Sequence, residues 1–178
     1  MNVKKLTRGA LFLALGIVLP QVFHLIGGPA AGTTFLPMHI PVLLAGMLVC
    51  PWAGLYVGVL SPLISHFLTG MPPLAPMPIL ILMMVELPVM GLAAGLLYRK
   101  LKLHILVSLP VAMLLGRIAL GLAFMVLTGI IGLQLPVGMW AYVTGAVTTG
   151  LPGIVIQLLL LPVLVKAVER GVPTWNET

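Results

Sequence analysis

Aspartate is absent from this chain, and glutamate occurs only at Glu86, Glu169 and Glu177. That excludes most membrane enzymes that hold a metal through aspartate. Cysteine is reduced to Cys50, so an intramolecular disulfide or a multi-cysteine metal site is impossible. Charge of either sign is scarce, at 7% of residues, where a soluble domain carries roughly a quarter. So few charged groups cannot cover a water-facing surface. What fills the chain is apolar: 61% of its 178 residues are hydrophobic and the mean hydropathy is +1.23. A spanning helix needs roughly 20 apolar residues, so six spans leave room for short loops and for no soluble domain. The whole of 1–178 therefore reads as one transmembrane domain. A net charge of +6 would suit nucleic acid, but the basic residues sit at the ends of apolar runs. There they act as orientation charge beside anionic lipid, and no nucleic-acid partner is expected.

The pattern predicts an all-α integral membrane bundle of six transmembrane helices. Helix 1 runs from Leu6 to Ile26 behind a basic start of Lys4, Lys5 and Arg8. It is longer than the apolar core of a signal peptide, and no A-x-A-like site precedes the next segment. Gly27-Gly28-Pro29 ends it, and a loop to Met38 follows. The next apolar block is broken at Cys50-Pro51-Trp52, because proline disfavours a helical conformation in the residue before it. This gives helix 2 from His39 to Val49 and helix 3 from Trp52 to Phe67. The proline-rich stretch Gly70–Pro78 forms a second loop. Helix 4 runs from Ile79 to Tyr98, a basic turn holds Arg99, Lys100 and Lys102, and helix 5 runs from His104 to Ile131 with a possible kink at Pro110. A third loop, Gly132–Val137, precedes helix 6 from Gly138 to Val168, which can bend at Pro152 and Pro162, and a polar tail, Glu169–Thr178.

Loop charge sets the orientation. The basic start, the basic turn and the end of helix 6 at Lys166 and Arg170 fall on one side of a six-helix chain, and the loops on the other side contain no Lys or Arg. The positive-inside rule then places both termini in the cytoplasm. The tripeptide Leu-Pro-Val recurs at Leu87, Leu109, Leu135 and Leu161. Its copies fall at inequivalent places, within helices, near a helix start and in a loop, and mark no repeat.

Buried charge is the sharpest chemical signal. Glu86 in helix 4 and Arg117 in helix 5 are expensive at membrane depth and are functional candidates by default. They read either as a structural pair closing the bundle or as polar anchors in a substrate pocket. Arg117 would favour a carboxylate or phosphate, and Glu86 a donor-rich ring or an amine. Three histidines, His24, His39 and His66, are expected toward the outer half. With Glu86 they could bind a transition metal, line a substrate pocket, or be ordinary interface residues. Trp140 and Tyr142 open helix 6 and read as interfacial anchors or as a stacking face, followed by Thr144, Thr148 and Thr149. Gln157 is deep and suits a helix–helix hydrogen bond. The small residues of the pairs Ala10/Ala14, Gly54/Gly58 and Gly91/Gly95 each lie one helical turn apart, a spacing that lets helices approach closely. No H-E-x-x-H, G-x-S-x-G or phosphate-loop motif occurs. No catalytic residues, resident metal or cofactor are expected, and the chain is not read as an enzyme. Uphill transport would then need another protein or an ion gradient.

Several segments together resemble the S-components, or substrate-binding subunits, of energy-coupling factor (ECF) vitamin transporters. They are Lys4, Lys5 and Arg8 followed by Ala10-Leu11-Phe12-Leu13-Ala14, then Leu36-Pro37-Met38-His39-Ile40-Pro41-Val42-Leu43-Leu44-Ala45-Gly46, Ser61-Pro62, and Leu68-Thr69-Gly70-Met71-Pro72-Pro73. The resemblance covers nearly the whole chain. It implies a subunit of the bacterial or archaeal cytoplasmic membrane that captures a vitamin-like small molecule from outside. Its implied partners are a membrane coupling protein (the T-component), two cytoplasmic ATPases and the lipid bilayer. It also implies that Ala10 and Ala14 meet the coupling protein, that loops Gly27–Met38 and Gly70–Pro78 cap the pocket, and that the subunit topples in the membrane to release its ligand. Substrate binding falls by this reading to Glu86, Arg117, His39, His66, Trp140, Tyr142 and Thr144, and the Glu86–Arg117 combination leans toward a zwitterionic or acidic vitamin. Met38-His39-Ile40-Pro41 is similar to the N-terminal metal motif of nickel and cobalt members, but here it is internal and lacks their free amino group. The competing readings are a small intramembrane enzyme using Glu86 and His66 as acid and base, and a purely structural subunit.

Overall fold

Long apolar runs with few charges favour helices, because in lipid each backbone N–H and C=O must be satisfied within its own segment. The computed structural model describes residues 3–171, and its regular elements are helices throughout: α1 (Val3–Phe35), α2 (His39–Val49), α3 (Pro51–Thr69), α4 (Ile79–Lys100), α5 (Ile105–Ile130) and α6 (Met139–Gly171). The last turns of α2, α4 and α5 widen to π geometry. Of the predicted polar tail, Glu169–Gly171 continues α6, and the remainder lies outside the described residues.

Five of these helices are long and apolar enough to cross a membrane, and α2 is not. The six predicted helices are all present, and the short helix expected from His39 to Val49 is the one that falls below spanning length. With six residues of α-helix and five of π-turn, α2 is about 16 Å long at 1.5 Å per residue. The five long helices form a ring in the order α1, α3, α4, α5, α6, and α2 packs inside it against α1, α3, α4 and α6. Every residue from Pro41 to Val49 is buried. A helix that is apolar on all sides belongs inside a core, and α2 supplies most of the main one with Val42, Leu43, Ala45, Met47 and Val49.

The loop expected over Gly27–Met38 is also corrected. Helix α1 breaks at Gly28 (φ 65°, ψ −168°), a region open essentially to glycine alone, and resumes as helix to Phe35. The resumed segment folds back toward α1, with the rings of Phe23 and Phe35 at 5.5 Å. Its end reaches the middle of α6, where a Cβ on Gly153 would meet the carbonyl oxygen of Phe35, and one on Gly150 the side chain of Leu36. Non-helical backbone at membrane depth is tolerated only where protein encloses it. Here Pro37 and Met38 are buried, and Gln157 donates from Nε2 to the Leu36 carbonyl at 3.3 Å. The deep amide ties down a re-entrant segment rather than a neighbouring helix.

The glycine pairs pack internally. Gly54 faces the Gly91 backbone, Gly58 the backbone at Leu87–Pro88, and Gly95 the backbone of Pro51 and Gly46. The close α2–α3–α4 contact sits toward the end that carries Arg99, Lys100 and Lys102. There Arg99 donates to the carbonyl of Leu48 at 2.6 Å, closing the last turn of α2. Tyr98 donates to Glu169 at 3.0 Å and ties α4 to α6, and His104 caps α5 by accepting from the Leu106 amide.

Candidate functional site

Because α2 stops near the middle of the ring, the opposite end is left hollow. A cavity of about 580 Å³ lies there, walled by the re-entrant segment, the loop after α3 and the outer halves of α4, α5 and α6. Most of its lining is apolar, including Met38, Met83, Pro73 and Ile79.

Three ionisable side chains meet at its floor. Glu86 Oε1 is 2.9 Å from Arg117 Nη1 and 3.5 Å from His39 Nε2. Glu86 and His39 are each 4% exposed. Glu86 lies seven residues from the start of α4, whereas Arg117 lies thirteen from the end of α5. They meet because α5 carries on to Ile130 while α4 begins at Ile79, so α5 stands taller than α4 on that side. Breaking such a pair by removing one partner costs roughly 3–5 kcal/mol, because the other charge is left buried and uncompensated. The two readings of the pair are compatible: it joins α4 to α5, and both members border the cavity. Neither His39 Nδ1 nor His39 Nε2 makes a hydrogen bond. The 3.5 Å approach to Glu86 is an electrostatic contact.

Tyr142 borders the same cavity, its ring stacked on Phe124 at 5.5 Å. The other candidates lie elsewhere. His66 borders no part of the cavity; its Nδ1 is 2.8 Å from the Pro72 carbonyl, pinning the loop after α3. Trp140 is 75% exposed, and exposed Thr144 bonds the Trp140 carbonyl at 2.6 Å. Both face outward, because successive residues on a helix diverge by 100° and Trp140 therefore points away from Tyr142. The inward line of α6 is instead Ala141, Gly145 and Thr149, continued by Gly153 and Gln157. That spacing of four is present in the sequence, largely in small residues that carry no chemical signal of their own. Ser65, Thr33 and His24 also border the cavity. The imidazole of His24 packs on Gly32 and leaves no room there for a Cβ.

The histidines do not assemble into a metal centre. Among the described residues, no three of His, Cys, Asp and Glu are placed to share an ion. The acid–base pairing of Glu86 with His66 also fails geometrically, because His66 does not border the cavity and its Nδ1 is committed to the Pro72 carbonyl. Ala10 and Ala14 lie on the exposed face of α1, in line with Thr7 and Val18.

A family model described as "ECF transporter, substrate-specific component" matches residues 4–165. No curated protein and no solved structure matches the chain.

Proposed function

The chain belongs to the substrate-specific components of ECF transporters, and from that premise we propose that it captures a vitamin-like small nutrient from the outside in the cavity above α2. Members of this family are multi-pass membrane subunits of transporters, not enzymes, and they work with a T-component and ATPases. The observation that carries the reading is the Glu86–Arg117–His39 cluster at the floor of a cavity of about 580 Å³. That volume lies within the usual range of small-molecule sites, which pair apolar walls with a few convergent polar groups. The end that carries Arg99, Lys100, Lys102, Lys166 and Arg170 faces the cytoplasm by the positive-inside rule, so the cavity opens outside the cell. Both termini are then cytoplasmic and the host membrane is the cell membrane. Glu86, Arg117, His39 and Tyr142 contact the ligand, with His66 supporting the loop from behind. Ala10 and Ala14 present a smooth strip to the T-component, and two ATPases drive release inward.

Mass spectrometry of small molecules retained by the purified chain tests this. A bound nutrient, displaced when the Glu86–Arg117 pair is disrupted, is the expected result. A protein that retains nothing and is not stabilised by any added nutrient would sink it.

A further inference from the structure

Resting on that capture reading, we infer that the captured molecule is electrically neutral and meets the cavity floor with an amide-like edge, an N–H beside a C=O, as in a cyclic amide or ureide. The two full charges at the floor already compensate each other at 2.9 Å. A lone carboxylate or phosphate would engage Arg117 only by drawing it from Glu86, leaving a buried carboxylate with no cation beside it. An ammonium group would strand Arg117 in the same way. Neither exchange is favourable where one partner is left desolvated and unpaired. A neutral molecule leaves the pair intact, so the mutual 2.9 Å contact replaces the zwitterionic or acidic ligand expected from the sequence with an uncharged one.

The intact pair also has a shape. The guanidinium keeps N–H donors beyond the one on Glu86, and the carboxylate keeps lone pairs on Oε2. A donor group and an acceptor group thus stand side by side, matched by an acceptor beside a donor: C=O toward Arg117 and N–H toward Glu86. His39 extends this row. It borders the cavity and is 4% exposed; its Nε2 has only the 3.5 Å approach to Glu86, and its Nδ1 has no hydrogen-bond partner. A buried polar atom without a partner is destabilising until something satisfies it, and a ligand polar atom next to the amide edge would do so. The remaining walls are largely apolar, and a charge elsewhere on the ligand would be desolvated against them without compensation.

The test uses the full chain in detergent, titrated with four probes of similar size. They are lumazine (neutral, N–H beside C=O), 1,3-dimethyllumazine (the same ring with its N–H groups blocked), 2-naphthoate and 2-naphthylmethylammonium. Lumazine is expected to bind at least tenfold more tightly than each of the other three. A charged probe or the blocked ring binding as tightly as lumazine overturns the inference and leaves the cavity as a capture site. If no probe binds at millimolar concentration, the retained molecule decides. A neutral compound with an amide edge supports the inference, a charged one overturns it, and no retained molecule together with no stabilisation by any added nutrient overturns the capture reading itself. Glu86→Gln adds a gain of binding: it frees Arg117, so naphthoate affinity should rise at least tenfold. A folded variant with unchanged naphthoate affinity counts against the inference, and if the variant does not fold, the wild-type comparison stands by itself.

Discussion

A single arginine at membrane depth joins α5 to the floor of the cavity, and its loss should be felt in binding. Arg117→Ala is expected to lower affinity for the retained molecule at least tenfold, about 1.4 kcal/mol, by isothermal titration. Unchanged affinity in a folded variant would remove Arg117 from the pocket. Glu86 and Arg117 were legible in the sequence because charge is so rare in this chain that each instance at helix depth demands an explanation. Their mutual distance was not legible, since it depends on how far α5 rises above α4. Nor was the fate of Trp140 and Thr144. Residue type suggested a ligand-facing role, and only the rotation of α6 about its own axis, set by its contacts with α1 and α5, decides against it.

Among the elements, the crossing of α3 and α4 is close-packed through backbone and easy to disturb. A Cβ on Gly54 would meet the Gly91 carbonyl group, which is backbone and cannot swing aside. Gly54→Ala should cost about 1–3 kcal/mol, the usual range for overpacking, and lower the melting temperature. Gly129 in α5 has open space around it, so Gly129→Ala should leave stability unchanged or raise it by up to about 1 kcal/mol. The re-entrant segment offers a second handle. Gln157→Leu removes the donor to the Leu36 carbonyl and should weaken ligand binding while speeding hydrogen exchange over residues 30–38. Unaltered exchange would show that the glycine contacts alone hold the segment. In the sequence, Gly27-Gly28-Pro29 read correctly as a break. That helix resumes beyond it was hidden, because proline suits the first turn of a new helix as well as it suits a loop. The break between α2 and α3 at Cys50-Pro51 was placed correctly for the same local reason. The enclosure of α2 depends on neighbours far along the chain.

For the molecule as a whole, the exposed strip on α1 predicts a separation of two properties. Ala10→Trp should impair uptake of the retained molecule into cells while leaving its binding to the purified chain nearly intact. Normal uptake would argue against this strip as the T-component contact. The short α2 bears on how such a chain is made. Eleven residues, ten of them apolar, are too few to be recognised as a membrane segment by themselves, and Cys50 is the sole link to α3. The two must therefore leave the insertion machinery together, as a hairpin, before α4, α5 and α6 have been synthesised. Until those helices arrive, part of α2 rests against lipid in a position it does not keep. A charged residue introduced at Val42 or Leu43 would thus be penalised twice, first during biogenesis and again in the finished bundle.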